Sequence, residues 1–444
     1  MNNNTQLPRK SLRQLFIPIC FETLFFMLAG MVDTLMLSSL SDEAVGAVGT
    51  ANTYINMFII MFSVISSGMI AVMTQYIGAG KSGIAYQAKN IGLIFNGVLG
   101  VVLSVFLFFF AENVLKAVGI AENLMGYAND YLKIVGGTVI LNALIPIFSS
   151  YVRAFGYTKH PMIATITANL INFGLNALFL YVFEWGVEGV ALATVISKVV
   201  NLIMVVIASF MLVHADKDEN RLPVKSVLVQ IIRVGLPSAL ESALYNIAMT
   251  FVISFLNKMD TQGVNATARS YASQITNFSY CVGVALAQAN AILTGWRIGA
   301  KEYDACDKGT KKAAVVGIIV ATLTESLLAL ASPYIMLIFT DNPDMISIVT
   351  KLLWVDVVLE IGRVSNLVYG QALKTSGDAV YITILGAVFM FLCAVGGTYL
   401  FGIKLEMMVV GSYIGLAADE CCRAVGMFLR WKSGKWRCKE LITR

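Results

Sequence analysis

Charge is scarce in this sequence. Asp, Glu, Lys and Arg make up 13% of its 444 residues, against 57% hydrophobic residues and a mean hydropathy of +0.75. Soluble domains carry roughly 25% charged residues, so this chain cannot cover itself with a water-facing surface. Its apolar excess also excludes a disordered chain. Histidine is almost missing: His160 and His214 are the 2 present, which disfavours histidine-based catalysis. The 7 cysteines are odd in number and stand singly apart from Cys421-Cys422. With no CxxC pair they give no support to a zinc site, an iron–sulfur site or a disulfide framework. A phosphate loop, a GxSxG elbow and an HExxH helix are all absent, so ATP-driven transport and intramembrane catalysis lack their parts. No polar stretch is long enough to fold outside a membrane; the longest, 214–229, reads HADKDENRLPVKSVLV.

What fills the chain instead is a series of long apolar runs. A bilayer-crossing helix needs about 20 mainly apolar residues, and twelve stretches qualify: 15–40, 51–77, 90–112, 131–153, 161–183, 187–213, 230–257, 265–297, 313–338, 348–374, 379–401 and 405–430. They are far longer than the ~10-residue alternating strands of a membrane barrel, so the expected class is an all-α polytopic membrane protein. Orientation follows from Lys and Arg. With the N-terminus inside, the inward segments gather Arg9, Lys10, Arg13, Lys81, Lys159, Lys217, Arg221, Arg297, Lys308, Lys311, Lys312, Arg430, Lys432, Lys435, Arg437, Lys439 and Arg444 among others. The outward segments hold only Lys116, Lys133, Lys258, Lys351 and Lys404. Both termini are expected in the cytoplasm, the membrane being the cytoplasmic (inner) one. The net charge of +5 then reads as a topology signal, with no nucleic-acid partner implied. The first run is too long for a signal-peptide core and stays as a helix.

The halves repeat. Pro18-Ile-Cys-Phe-Glu22 recurs as Pro237-Ser-Ala-Leu-Glu241, Thr74 to Lys81 as Thr294 to Lys301, and Arg153-Ala-Phe-Gly156 as Lys374-Thr-Ser-Gly377, in order and at nearly one offset. The division expected is a six-helix lobe over 1–213, a cytoplasmic linker over 214–229, a second six-helix lobe over 230–430 and a basic tail over 431–444. Six spans separate the copies, so both lobes face the same way, as parallel repeats related by an axis along the membrane normal. Two such bundles enclose a cleft, and rocking one against the other gives alternating access. This favours a carrier over a channel or a receptor.

Ionisable groups at membrane depth are costly and each is a functional candidate. Glu22 and Asp33 share one face of the first span, Asn172 and Asn176 one face of the fifth. Tyr131 and Thr194 are weaker candidates on their own. Glu241 follows Pro237 by four residues and has no cation on its own helix face. Asp356, Glu360 and Arg363 fall at i, i+4, i+7 on the tenth span; Glu420 and Arg423 pair on the twelfth. Acid–arginine sets of this kind read as structural neutralisation or as ligand sites. Glu325 and Lys198 also lie at depth, without an assignable role.

These residues carry a family resemblance. Pro18 through Val32-Asp33-Thr34, the Arg153-to-Gly156 motif, the NLINFGLN stretch around Asn172, Gly186-Val-Glu-Gly-Val190 and Gly235-Leu-Pro237 together resemble bacterial multidrug and toxic compound extrusion (MATE) transporters, through essentially the whole chain. Glu360-Ile-Gly-Arg363 and Ala418-Asp-Glu420 look like one bacterial branch. The resemblance implies cation-coupled antiport of small organic, often cationic or aromatic, compounds. It also implies an N-lobe coupling-ion site at Asp33, Tyr131, Asn172, Asn176 and Thr194, and a C-lobe substrate or coupling site at Glu241 and Glu360, where Arg363 would neutralise Glu360. The family position matched by Asn176 is often Asp. One carboxylate in place of two weakens a sodium site and favours a proton. The expectation is therefore a monomeric antiporter in the lipid bilayer, not an enzyme, without a cofactor or metal beyond H+ or Na+ as coupling ion. A flippase for lipid-linked or polysaccharide precursors would keep the fold and change the cargo; it would call for a more cationic cleft.

Overall fold

In the computed structural model, residues 10–117, 119–215, 221–260 and 263–442 are described, the side chain of Asp42 excepted. Arg9, Lys217, Arg444 and the part of the linker over 216–220 lie outside these. The helices are α1 (Leu12–Ser38), α2 (Asp42–Gly78), α3 (Ser82–Ala117), α4 (Glu122–Tyr131), α5 (Ile140–Ala154), α6 (Lys159–Ala177), α7 (Gly186–Leu212), α8 (Val224–Met259), α9 (Val264–Gly299), α10 (Tyr303–Met336), α11 (Pro343–Ser376), α12 (Ala379–Phe389) and α13 (Met408–Lys432). The fourth span is α4 and α5 together, bent by 43°. Short π-helical turns extend α4 (Leu132–Gly136), α6 (Leu178–Val182) and α12 (Met390–Val395, Thr398–Lys404). Twelve transmembrane rods result, in two compact units, Met1–Gly235 and Leu236–Arg444.

Among the described residues 9 helices, or 10 counting the bent pair, are apolar enough by hydropathy to cross a membrane. The rods that fall short, α11 and α13, carry the acid–arginine sets. The packing explains how they tolerate them. α11 touches α9, α10 and α13, so its polar face meets protein and not lipid. Large apolar side chains are exposed along the spans of both units: Phe26 is 72% exposed, Phe109 70% and Leu392 65%. Inside the first unit Phe62, Leu107, Leu132 and Val139 form the core; inside the second, Val349, Leu352, Leu353 and Met336 do.

The helices run longer than the apolar runs because their ends continue into the loops. α8 begins at Val224, within the stretch that reads as linker, just after Pro223, whose carbonyl accepts from Ser226 and Val227. α9 is started by Asp260, whose carboxylate accepts the backbone N–H groups of Asn265 and Val264, each at 3.0 Å. Those bonds, from Asn265 first, hold this loop carboxyl below the usual carboxylate range.

Two elements of the repeat have visible causes. Gly156 and Gly377 end the α5 and α11 motifs with φ of 85° and 97°, the left-handed stop that only glycine adopts without strain. The acids of the first motif also meet the bases of the third. Arg153 pairs with Glu22 in one unit, and Lys374 Nζ lies 2.7 Å from Glu241 Oε2 in the other.

The basic C-terminal segment packs against its own unit. Trp431 and Trp436 stack at 4.2 Å and are both buried. Trp431 Nε1 donates to Asp307 Oδ1 at 2.8 Å, and Tyr303 donates to Glu440 Oε2 at 3.1 Å. Lys432, Lys435 and Arg437 remain exposed.

Candidate coupling and substrate sites

In the first unit α1 and α6 are neighbours, and their contact places Asp33 against the fifth-span asparagines. Asn176 is fully buried, and its Nδ2 donates to Asp33 Oδ1 at 2.8 Å and to Asn172 Oδ1 at 3.3 Å. Tyr131, at the end of α4, is buried, within electrostatic range of Asp33 and next to Thr194; its hydroxyl donates to Asn52 Oδ1 at 3.4 Å. The five N-lobe candidates therefore gather in one place, three by direct hydrogen bonds and two beside them. Two of the four helices that feed the group, α4 and α6, change to π-helical turns just after it, at Leu132 and Leu178. Such turns are frequent at functional sites because they re-aim neighbouring side chains.

Two further residues join this group: Lys198, which the sequence shows at depth without a role, and Asn52, which it does not single out. Lys198 stands within electrostatic range of Asp33. It lies four residues after Thr194 and so shares its helix face, a signal present in the sequence. Asn52 on α2 has no such signal, because only the tertiary contact brings it to Tyr131.

Glu22 stands apart from Asp33. It is 8% exposed, paired with Arg153 and accepts from Thr165 Oγ1 at 3.2 Å, which makes it a tie between α1, α5 and α6.

The second unit holds a cavity of about 500 Å³ whose lining includes Glu241, Asp356, Arg363, Lys374, Glu420 and Arg423. Glu241 has its cation after all, from α11 and not from its own helix. Arg363 pairs with Glu360 and lies 3.7 Å from Glu420. Arg423 bonds Asp419 at 2.7 Å and Glu420 at 2.9 Å, and Asn366 donates to Glu420 at 2.9 Å. Deeper, Glu325 and Glu360 have no exposure and Asp356 has 2%. Among the described residues, both oxygens of Glu325, Asp356 Oδ2 and Glu360 Oε2 have no hydrogen-bond partner. Arg363 and Arg423 cannot balance all of Glu325, Asp356, Glu360, Asp419 and Glu420, and buried charge without a counter-charge is strongly unfavourable. Protonation of some of these acids, or a cation held beside them, relieves that excess. Glu325 could not be placed from sequence because the acids beside it, Asp356 and Glu360, come from α11, the next span.

Comparison with known proteins settles the family. The MatE family model matches residues 18–178 and again 237–405, one match in each half, starting at Pro18 and Pro237. The chain belongs to the MatE family. It is 32% identical over 438 residues to the "Uncharacterized transporter YisQ" of Bacillus subtilis (strain 168), covering 96% of this chain and 94% of the relative. It is 24% identical over 455 residues to the "Probable multidrug resistance protein NorM" of Thermotoga maritima, covering 98% and 95%. The fold matches that of an outward-facing multidrug resistance MATE family transporter of the MOP superfamily with a TM-score of 0.86 at 20% identity, and a MATE crystal structure in the straight conformation with 0.85 at 22%. In both cases 98% of each chain is covered. This MatE chain is thus a multi-span membrane protein of a bacterial transporter family that includes multidrug efflux proteins.

Proposed function

We propose that this MatE protein is a proton-coupled secondary antiporter of the cytoplasmic membrane, exporting small organic compounds of cationic or aromatic character by alternating access. It acts as a monomer with both termini in the cytoplasm and performs no covalent chemistry. The observation that carries the reading is the Asp33 group. A carboxylate is held by the Asn176 amide, the second acid is replaced by that same amide, and the Lys198 ammonium is in electrostatic range. A sodium ion bound there would face the lysine charge with a single carboxylate to hold it, whereas a proton needs only the carboxylate. Protonation changes the local charge and hydrogen-bond pattern, which is enough to bias a lobe between two packings that differ by a few kcal/mol. The C-lobe cavity supplies the substrate side, its surplus of carboxylates suiting a cation and Tyr245, Tyr280 and Tyr413 an aromatic ring. A flippase reading finds less support, because Arg363, Lys374 and Arg423 are all engaged by acids. The test is uptake of a cationic aromatic dye into proteoliposomes under separately imposed proton and sodium gradients. Drive by the proton gradient alone is expected; drive by sodium alone overturns the choice of ion.

A further inference from the structure

A second, independent site lies at the opposite end of α1 from Asp33. The residues before the helix and its first two turns meet the start of α6 around a cavity of about 660 Å³, lined by Lys10, Arg13, Lys159, Thr158, Ile17 and Pro18, with Ser11 and Gln14 at its edge. No acid is among the lining residues. Lys10 is fixed in place: its Nζ donates to the Gly156 carbonyl at 2.7 Å and sits 4.9 Å from the centre of the Tyr157 ring. Arg13 and Lys159 have no acidic partner among the described residues. Burial and then the neighbouring Lys159 hold the Lys10 ammonium below the usual lysine range. Like charges are gathered here with no acid beside them among the described residues.

The local backbone narrows what could do so. Ser11 and Gln14 form a capping box, so two of the N–H groups at the start of α1 are already engaged. α6 starts without a side-chain cap, and its N-terminus adds a partial positive charge. Below the cations the same face of α1 turns apolar and open: Ile17 is 38% exposed and Phe21, one turn on, 51%. A polar anion therefore meets the cations while a hydrocarbon chain attached to it follows Ile17 and Phe21.

From this juxtaposition we infer that the α1–α6 junction is a binding seat for one anionic phospholipid, its headgroup phosphate on Lys10, Arg13 and Lys159 and an acyl chain along Ile17 and Phe21. Basic pockets between transmembrane helices at the cytoplasmic surface are the usual seats of such headgroups, and the positive-inside distribution puts this junction on that side. The seat would tie α1, which carries Asp33, to α6, which carries Asn176, through their cytoplasmic ends. The inference does not depend on the transport reading.

The experiment uses the full-length protein, delipidated in detergent and examined by native mass spectrometry and thermal unfolding. The additives are phosphatidylglycerol, phosphatidylcholine and inorganic phosphate. Wild type is expected to retain a phosphatidylglycerol adduct and to unfold at higher temperature with it, and to do neither with phosphatidylcholine. Arg13→Gln and Lys159→Gln should each weaken the adduct about fivefold, and together about thirtyfold, at the value of one basic residue near an anionic surface. Lys435→Gln/Arg437→Gln, which removes equal charge from the C-terminal segment, should leave it intact. Equal loss in the C-terminal variant would show a diffuse charge effect and overturn the seat. Stabilisation by inorganic phosphate equal to that by the lipid would overturn the lipid assignment. The readouts involve no transport, so failure here leaves the antiporter reading standing, and failure of that reading leaves this one standing.

Discussion

Glu241 and Lys374 allow the cost of breaking an ion pair inside this protein to be graded by burial. The Lys374 and Glu241 side chains keep 18% and 14% of their exposure, whereas Arg423 and Asp419 keep 4% and 2%. Removing one partner of a fully buried pair costs about 3–5 kcal/mol, because the other charge stays uncompensated; breaking an exposed pair costs about 0–1 kcal/mol. Lys374 lines the 500 Å³ cavity, so the ammonium orphaned by Glu241→Gln regains some water, and the expected loss is about 2 kcal/mol. Arg423→Gln strips both Asp419 and Glu420 of a guanidinium with little access to water and should cost the full amount. For a cooperative unit of this size 1 kcal/mol is about 2–4 °C in Tm, which puts Glu241→Gln about 4–8 °C below wild type and Arg423→Gln well below that. The double variant Glu241→Gln/Lys374→Gln should recover to within about 1 kcal/mol, since no charge is left unpaired. Thermal unfolding of the purified variants decides it. Equal losses in Glu241→Gln and Arg423→Gln would refute the burial argument, and a double variant no better than the single one would refute the pairing. The same Glu241→Gln protein, folded and inserted, should transport poorly if the carboxylate faces substrate; wild-type transport would remove Glu241 from the substrate site.

Four further outcomes are expected. Asp33→Asn keeps shape and removes titration, so proton-driven export and its pH dependence should disappear at unchanged protein abundance; full transport in that variant would remove Asp33 from coupling. Asp260 has its carboxyl held low in the folded state, so its contribution is present above the unfolded-state value near 3.9 and is lost as pH falls through the folded value. Hydrogen exchange at Val264 and Asn265 should therefore show an acid-side loss of protection that Asp260→Asn lacks. Gly377→Ala should destabilise more than Gly156→Ala: both force a positive φ, but a Cβ at 377 would also come within 2.3 Å of the Lys439 carbonyl and lift the C-terminal segment, read as increased reactivity of Cys438 and quenching of Trp436. Reporter fusions at Lys81, Lys159, Arg221 and Lys308 should read cytoplasmic and those at Glu122, Glu188 and Asp341 external; an external reading at Arg221 would contradict the twelve-span topology.

Much of the architecture was legible because a bilayer permits so few solutions. Once every backbone group must be satisfied within its own segment, an apolar run of about 20 residues is a helix, and the twelve runs correspond to the twelve rods. What the runs do not encode is where a helix ends in water or bends inside the membrane. The break between α4 and α5 follows from the π-helical turn and Gly136-Gly137, and the packed C-terminal segment follows from contacts of Trp431 and Trp436 with residues far away in sequence. Site residues divide along the same line. Asn172 with Asn176, and Glu360 with Arg363, were visible because helical spacing alone brings them together. The Glu241–Lys374 pair, the Glu22–Arg153 pair and the approach of Glu325 to Asp356 each join two or more helices, and no periodicity reports a contact between helices.

The duplication offers its own way to separate scaffold from chemistry. A residue required by the packing of a six-helix unit should recur in both copies, and the ion pair does: Glu22 with Arg153, Glu241 with Lys374. The same holds for the left-handed glycines that close the motif, Gly156 and Gly377. Three of the acids do not recur. At the offset of the first motif Asp33 corresponds to Val252, and at the offset of the third Asp356 and Glu360 correspond to Val135 and Val139. All three valines are buried core residues, so each lobe packs well with an apolar side chain where the other spends an acid. Burying that acid costs several kcal/mol that a valine would not, and packing therefore cannot account for it. Asp33 in one lobe and the Asp356–Glu360 pair in the other mark where the two copies diverge. Replacing Glu360 by valine together with Arg363 by leucine should thus raise Tm while abolishing substrate binding in the C-lobe cavity, measured as loss of dye quenching by the purified protein. A fall in Tm would make the pair part of the scaffold and would remove this ground for separating the roles of the two lobes.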